Sequence, residues 1–306
     1  MSGRRFSKKR ASIFLLAMTL YVLWFSLFVG FRTDHYYIVA GLTFMFFATE
    51  KTHKIICGII FFLLFAAIYD SLRLVPPYTI MPVHIEDLYM AEKNWFGINV
   101  NNEILTPNEY LLNYLHPILD VISGVSYLSW MPFPIGIGAW LAIKRPKHLM
   151  LFSFCFLFSN FIGISLYYLF PAAPPWYVYE HGFEFIPQAG GNPSVLLRFD
   201  QLINMSIFQG IYGKSSNVFG AIPSMHAAYP LITTYYLLKY RYTKMAIISI
   251  LLMLGIWFGA IYGMQHYIID VLLGISCAVV AIFLCEKIIY KTQFKKSLFR
   301  LASYIS

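Results

Sequence analysis

The sequence HYIIDVLLGISCAVVAIFLC at residues 266–285 places a histidine, His266, in front of an apolar run that contains one acidic residue, Asp270. About 20 mostly apolar residues are needed for a helix to cross a bilayer, and this stretch has that length. An ionisable group inside such a helix is costly, so Asp270 indicates a functional position about one turn inside the membrane. The stretch predicts a membrane-spanning helix with a reactive end.

The whole chain has the composition of an integral membrane protein. Of its 306 residues, 59% are hydrophobic, 19% are aromatic and 12% are charged, whereas a soluble domain carries about 25% charged residues. A soluble fold of this length lacks the interior to bury so much apolar surface. Composition therefore excludes a soluble enzyme, a disordered chain and a disulfide scaffold.

Eight apolar runs predict an all-α, polytopic membrane protein with about eight transmembrane helices. Long continuous runs favour helices over the alternating segments of a barrel. Pro132 and Pro134 lie inside the longest run and predict a kink there. The predicted spans are residues 12–31, 35–49, 55–69, 117–143, 149–170, 224–238, 245–263 and 267–285.

Positive charge orients these spans. With eight spans, both termini and three loops share one side, and 18 of the 23 Lys and Arg residues lie there. The positive-inside rule makes that side cytoplasmic. The net charge of +9 therefore reports topology and does not indicate a nucleic-acid partner. The remaining basic residues are Arg32, Arg73, Lys93, Arg198 and Lys214.

Two long external segments, residues 70–116 and 171–223, separate the predicted spans. Segments of this length are usually functional or partly folded. A short helix along the membrane surface is one option for the first, whose role the sequence leaves open. We divide the chain into N-terminal helices with this first segment (1–116), a catalytic helical core (117–286) and a basic cytoplasmic tail (287–306).

Three motifs meet at the external surface: FPAAPPWY at 170–177, GAIPSMH at 220–226 and YGMQHYIID at 262–270. In the third, His266 and Asp270 are four residues apart, so on a helix they share one face. A carboxylate there can accept the proton of one imidazole nitrogen and leave the other free as a nucleophile or base. A structural hydrogen-bonded pair is the alternative interpretation.

His226 is predicted to lie in the first turn of the helix that follows Pro223. Free backbone N–H groups and the positive end of the helix dipole bind phosphate at such a position. An interfacial histidine alone more often packs or forms a hydrogen bond, but opposite His266 a proton-transfer role is favoured. The candidate substrate-binding residues are Ser224, Trp176, Tyr177, Tyr262, Arg198 and Lys214. Trp176 and Tyr177 would also suit an interfacial aromatic belt.

These motifs resemble the type 2 phosphatidic acid phosphatase superfamily, which pairs a P-S-x-H motif with a later H-x-x-x-D motif in a six-helix core. The more particular resemblance is to its inositol phosphorylceramide synthase branch. It lies in APPWY at 173–177, FGAIPSMH at 219–226 and HYIID at 266–270, and it covers roughly residues 149–285.

The resemblance implies that His266, oriented by Asp270, attacks the phosphorus of a phosphatidylinositol-like donor while His226 protonates the departing diacylglycerol oxygen. Ceramide or a related lipid then accepts the phosphoinositol group from the phosphohistidine. The expected partners are these two lipids and the bilayer, with no metal or other cofactor, and the oligomeric state stays open. We expect a bacterial inner membrane with a periplasmic site, or a Golgi membrane with a lumenal site if the chain is eukaryotic.

The chain departs from the phosphatase members at two cationic positions. Gly138 stands where their K-x6-R-P motif has Lys, and Ala260 stands where they place an Arg before the second histidine. A dianionic phosphomonoester needs more positive charge than a diester monoanion, so this loss favours head-group transfer, although Arg198 or Lys214 could restore one clamp. A lipid phosphate or pyrophosphate phosphatase remains the alternative enzyme.

A non-catalytic membrane transporter or scaffold, with Asp270 and the histidines as a proton relay, is the alternative of another class. A transporter of this kind should show charges near the middle of the bilayer or inverted repeats. The sequence shows neither feature.

Overall fold

The computed structural model describes residues 8–305, most of which are helical. Residues 1–7, which hold part of the predicted cytoplasmic charge, and Ser306 lie outside the described residues. The helices of the first part are α1 (Lys8–Trp24), α2 (Thr33–Ala48), α3 (Glu50–Gly58), α4 (Ile60–Asp70), α5 (Glu86–Phe96), α6 (Pro107–Leu112), α7 (Pro117–Leu128) and α8 (Pro132–Lys144). Those of the second part are α9 (Pro146–Leu169), α10 (Pro175–His181), α11 (Leu197–Ile203), α12 (Ile207–Tyr212), α13 (Met225–Lys239), α14 (Thr243–Tyr262), α15 (Ile268–Lys287) and α16 (Phe294–Ile305).

Several helical runs are long and apolar enough to cross a membrane, which identifies a polytopic membrane protein. Within residues 8–305 they are Lys8–Val29, Ile60–Thr79, Pro146–Leu169, Thr243–Tyr262 and Ile268–Lys291. The α7–α8 pair, bent by 43° at the break before Pro132, adds a sixth if it counts as one span. The count of eight stays a prediction, because α2 and α13 have 16 and 15 residues where a span needs about 20.

The helix α9 lies at the centre of the bundle, where it packs against α4, α8, α13, α15 and α16. Its Cys155 and Phe156 side chains are fully buried, because neighbours surround this helix on several sides. The C-terminal α16 buries Leu298 and Ala302 against this core. Most of the predicted basic tail is therefore an amphipathic helix that packs on the bundle.

The backbones of α13 and α15 approach each other closely at their N-terminal ends. The Ser224 amide, just before α13, donates to the Asp270 carbonyl oxygen of α15 at 2.9 Å. A Cβ atom added at Gly274 would stand 2.0 Å from the Ser224 carbonyl oxygen, so only glycine allows this approach. The contact fixes where the first turn of each helix lies relative to the other.

Both external segments are folded and are joined to each other. The first contains α5, α6 and a small hairpin of β1 (Ile98–Val100) and β2 (Glu103–Leu105), strands that the apolar pattern did not predict. The second contains α10, α11 and α12. Parallel bridges join His84 to Ala172 and Ala172 to Gly220. The motifs at 170–177 and 220–226, which begin and end the second segment, thus lie side by side. The first segment pairs with the 170–177 motif through His84.

Candidate active site

The structure brings His226 and His266 together. Nδ1 of His226 lies 3.2 Å from Nε2 of His266. The His226 ring is stacked on Tyr127 with centroids 4.7 Å apart, and the Trp130 ring meets it edge-on at 4.7 Å. This aromatic wall leaves His226 little freedom to turn away from His266.

The second nitrogen of His266 is held by a backbone carbonyl. Nδ1 lies 3.0 Å from the Ala221 oxygen and 3.5 Å from Oδ2 of Asp270. A carbonyl oxygen can only accept, so we infer that Nδ1 carries the proton and that Nε2 presents its lone pair toward His226. Sequence reasoning assigned this orienting role to Asp270 alone. It missed Ala221, because a main-chain acceptor leaves no signal in residue type.

His266 and Asp270 meet in a different way from the one predicted. The sequence placed both on one helix face, but α15 begins at Ile268 and His266 precedes it. The helix begins only after Tyr267, whose amide is accepted by the Asp270 carboxylate at 2.8 Å, as in a capping box. Asp270 is 0% exposed, and its Oδ1 atom has no hydrogen-bond partner within the described residues.

A polar cavity of about 80 Å³ lies beside the two histidines. None of the residues that line it is Lys, Arg, Asp or Glu. The Nδ2 atom of Asn217 is buried and has no hydrogen-bond partner within residues 8–305. A Cβ at Gly220 would stand 2.6 Å from this atom, so glycine makes room for the amide. Besides His226 and His266, the polar and aromatic residues of the lining are Tyr69, Trp176, Tyr212, Ser215, Asn217 and Gln265.

Three of the predicted substrate-binding residues, Trp176, Ser224 and Tyr177, differ in their surroundings. Trp176 lines the cavity. Ser224 is 0% exposed at the start of α13, and its Oγ atom has no partner within the described residues. The Tyr177 hydroxyl donates to the Glu184 carbonyl at 2.7 Å and accepts from the Ile186 amide at 2.8 Å, so it braces the external segment from outside the cavity lining.

The other three predicted residues, like Ser224 and Tyr177, are not among the residues that line the cavity. Arg198 forms an ion pair with Asp120, with Nη2 at 2.9 Å from Oδ2, and this hydrogen bonding raises the pKa of the guanidinium above its ordinary value. The Tyr262 hydroxyl donates to the same carboxylate at 2.6 Å. Lys214 has an exposed side chain, and its carbonyl accepts from Arg73 at 2.9 Å. Neither predicted cationic clamp therefore reaches the cavity.

The first external segment contributes a residue that sequence reasoning missed. Asn108 of α6 is 1% exposed. Its Nδ2 atom donates to the carbonyls of Ile261 at 2.8 Å and His266 at 3.0 Å. One amide thus joins the end of α14 to the backbone of His266. An asparagine in a polar loop gives no sequence signal for such a role.

An apolar groove of about 450 Å³ lies between α5, α9 and α15. It ends against Ile222 and Pro223, next to the Ala221 carbonyl that holds His266. Trp95 at its edge is 72% exposed and Leu273 is 42% exposed. Such a groove suits a hydrocarbon chain that approaches from the bilayer.

Comparison with known proteins identifies the family. The model of the PAP2 superfamily matches residues 99–284, which contain His226, His266 and Asp270. The chain belongs to the PAP2 superfamily, as the motifs predict.

Among curated proteins, the chain is similar to a protein of Bacteroides thetaiotaomicron named phosphoinositol dihydroceramide synthase. The two are 41% identical over 275 residues, which cover 89% of this chain and 90% of that protein. The chain is 26% identical to the inositol phosphorylceramide synthase of Candida albicans over 241 residues, 78% of this chain and 49% of that protein. It is 27% identical to the inositol phosphorylceramide synthase catalytic subunit of Schizosaccharomyces pombe over 244 residues, 78% of this chain and 55% of that protein. The chain thus spans about half the length of these fungal relatives, and no solved structure matches it.

Proposed function

We propose that the chain is a membrane phosphotransferase that moves a phosphoinositol head group from a glycerophospholipid to ceramide or a related acceptor. The similarity to synthases named for this product supports the substrate class. The observation that carries the proposal is the histidine pair. Nε2 of His266 offers a lone pair at 3.2 Å from Nδ1 of His226, as a nucleophile and its proton-transfer partner require.

In the first step, Nε2 of His266 attacks the phosphorus of the donor lipid and forms a P–N bond. The P–O bond to diacylglycerol breaks, and His226 donates a proton to the departing oxygen. In the second step, the primary hydroxyl of ceramide attacks the phosphohistidine. His226 accepts the hydroxyl proton, and the P–N bond breaks to restore His266. Asp270 and the Ala221 carbonyl share the Nδ1 proton throughout, which steadies the imidazole ring.

The neutral lining of the cavity supports a phosphodiester donor with an uncharged polyol head group. Its polar side chains can donate to and accept from hydroxyl groups. A dianionic phosphomonoester would call for fixed cations beside the phosphate, and no Lys or Arg is among the lining residues. This observation favours transfer over release of inorganic phosphate.

The distribution of charge and the apolar groove support a site at the external surface of the membrane. The basic loops predict a cytoplasmic location for the opposite end of the bundle, and in a bacterium the site then faces the periplasm. The groove beside Ile222 and Pro223 gives a lipid chain a path from the bilayer toward the site.

The test is a transfer assay with the purified full chain in mixed micelles. Phosphatidylinositol and a fluorescent ceramide are supplied, and the products are identified by chromatography and mass spectrometry. We expect inositol phosphorylceramide and diacylglycerol in equal amounts, and neither product with His266→Ala. Release of inorganic phosphate from phosphatidate, with no labelled ceramide product, would instead establish the phosphatase alternative.

A further inference from the structure

The first external segment reaches the catalytic helix α15 through Glu92 of α5. Its Oε1 atom accepts a hydrogen bond from the Ile268 amide at 2.8 Å, and its Oε2 atom accepts one from the Ile269 amide at 3.1 Å. The Glu92 side chain is 0% exposed. A carboxylate from another part of the chain thus holds the first two amides of α15, directly after the active-site loop.

Glu92 forms no ion pair within residues 8–305. The adjacent Lys93 donates to the Tyr89 hydroxyl at 3.2 Å. A carboxylate buried without a cation is costly. Two backbone amides and the positive end of the helix dipole offset that cost here. A neutral Ser, Thr or Asn could cap a helix without the desolvation cost of a buried carboxylate. Glu92 differs from an ordinary cap, because it reaches α15 from another helix and accepts two of its amides at once.

We propose that Glu92 is a positioning residue, which holds His266 in its reactive orientation through the first turn of α15. The inference rests on the proposed function. Asp270 accepts the Tyr267 amide at 2.8 Å, so two carboxylates together hold three consecutive amides. With these amides fixed, the backbone at His266 cannot turn, and Nε2 stays directed toward His226.

Glu92 acts on the backbone and does not touch the substrates. It is absent from the lining of the polar cavity beside the histidines, and it is likewise absent from the lining of the apolar groove. Loss of the carboxylate should therefore slow the chemical step without weakening the binding of either lipid. A residue that only stabilised the fold would behave differently, because its loss would leave the turnover of each folded molecule unchanged.

The experiment compares Glu92→Gln with Glu86→Gln in the full chain in detergent micelles. Glu86 lies on the same helix with an exposed side chain and serves as the matched control. The readouts are kcat, KM for both lipids, and hydrogen exchange of the peptide that covers residues 261–272. We expect Glu92→Gln to lower kcat about ten- to a hundred-fold, as small misplacements of reacting groups do, with both KM values within about two-fold.

Hydrogen exchange should be faster at Ile268 and Ile269 in Glu92→Gln and unchanged in Glu86→Gln. Glu92→Asp keeps the charge but is one methylene shorter, so it should recover part of kcat. An unchanged kcat in Glu92→Gln, or a loss explained by a smaller folded fraction, overturns the proposal. Equal hydrogen exchange at Ile268 and Ile269 in Glu92→Gln and the wild type also overturns the proposal, and this readout does not depend on the identity of the donor lipid. A wild type that transfers no phosphoinositol would instead refute the proposed function.

Discussion

Nε2 of His266 and Nδ1 of His226 lie 3.2 Å apart although 40 residues separate them in the chain. If His266 is the nucleophile, the phosphorus atom must approach its Nε2 atom while His226 transfers the proton to or from the lipid oxygen. Both residues are histidines, so an experiment must distinguish the nucleophile from the proton donor by the reaction step in which each takes part.

A donor with an activated leaving group separates these roles. A nitrophenyl phosphoinositol diester releases nitrophenolate, which leaves without a proton. We expect His226→Gln to form phosphohistidine from this donor and His266→Gln to form none. With the natural donor, His226→Gln should lose about 10²–10⁴-fold in rate, the usual contribution of acid–base catalysis.

The measurement is the phosphohistidine signal by mass spectrometry after rapid quenching. His148→Gln is the control, because His148 lies on the first turn of α9 and contacts Tyr240 and Tyr242, away from the cavity. Phosphohistidine in His266→Gln would contradict the assignment of the nucleophile.

Asp270→Asn should be less damaging than loss of the histidine. In a serine protease, loss of the orienting aspartate costs about 10⁴-fold because the imidazole adopts the wrong tautomer. Here the Ala221 carbonyl, at 3.0 Å from Nδ1, still requires a proton on that nitrogen. We expect a loss of about 10–10²-fold in kcat. An Asp270→Asn protein as inactive as His266→Gln would show that the carbonyl does not hold the tautomer.

Asn217→Ala should weaken use of the donor lipid. Its buried Nδ2 atom has no partner within the described residues and lines the cavity beside the histidines, so a head-group oxygen is its natural acceptor. We expect kcat/KM for the donor to fall about ten-fold, the value of one neutral hydrogen bond. The KM for ceramide should stay unchanged. Asn94→Ala, at an exposed position on α5, is the control, and an equal effect from both variants would remove the assigned role.

Gly274→Ala should separate the ends of α13 and α15. The new methyl group would stand 2.0 Å from the Ser224 carbonyl oxygen, so one backbone must move. We expect a melting temperature lower by several degrees and a loss of transfer activity, because His226 follows Ser224 by two residues. The control is Gly136→Ala, where a Cβ would have nothing within 4 Å. Similar melting temperatures for the two variants would show that the close contact tolerates a methyl group.

Stability should depend on pH through Glu92. Burial raises the pKa of this carboxyl from 4.5 to about 7, and Asp270 adds to the rise, although the Ile268 and Ile269 amides oppose it. The folded state therefore binds the proton more tightly than the unfolded state does. The stabilisation is complete below about pH 4.5 and is lost as the pH rises through 7.

The measurement is the melting temperature in detergent between pH 4.5 and 8. We expect Glu92→Gln to show a smaller decline than the wild type over this interval, while Glu86→Gln follows the wild type. Parallel curves for all three proteins would place the Glu92 pKa near its ordinary value.

The sequence predicted the helical class and the kink before Pro132, because apolar runs and proline act locally. It also predicted that His226 and His266 share one surface, since alternation of spans fixes which motifs meet. It could not predict the partners of Arg198 and Tyr262. Both bind Asp120 across the fold, and a sequence does not show which carboxylate a side chain will reach.

The roles of Ala221, Asn108 and Glu92 could not be predicted for a related reason. A main-chain carbonyl has no identity in the sequence, and a single polar residue in an external segment resembles any solvated position. Asn108 and Glu92 are both buried, and burial of a polar residue in an external segment is a property of the tertiary fold.

The carboxylate that holds the start of α15 has a consequence for how this protein can be recombined with its relatives. The family model begins at residue 99, whereas Glu92 lies seven positions earlier. A chimera that joins residues 99–284 to the leading helices of another member would keep the histidines but lose Glu92, the acceptor of the Ile268 and Ile269 amides, unless that member places a carboxylate at the same position. The smallest exchangeable unit therefore begins at or before α5, and the leading segment and α15 should be inherited together.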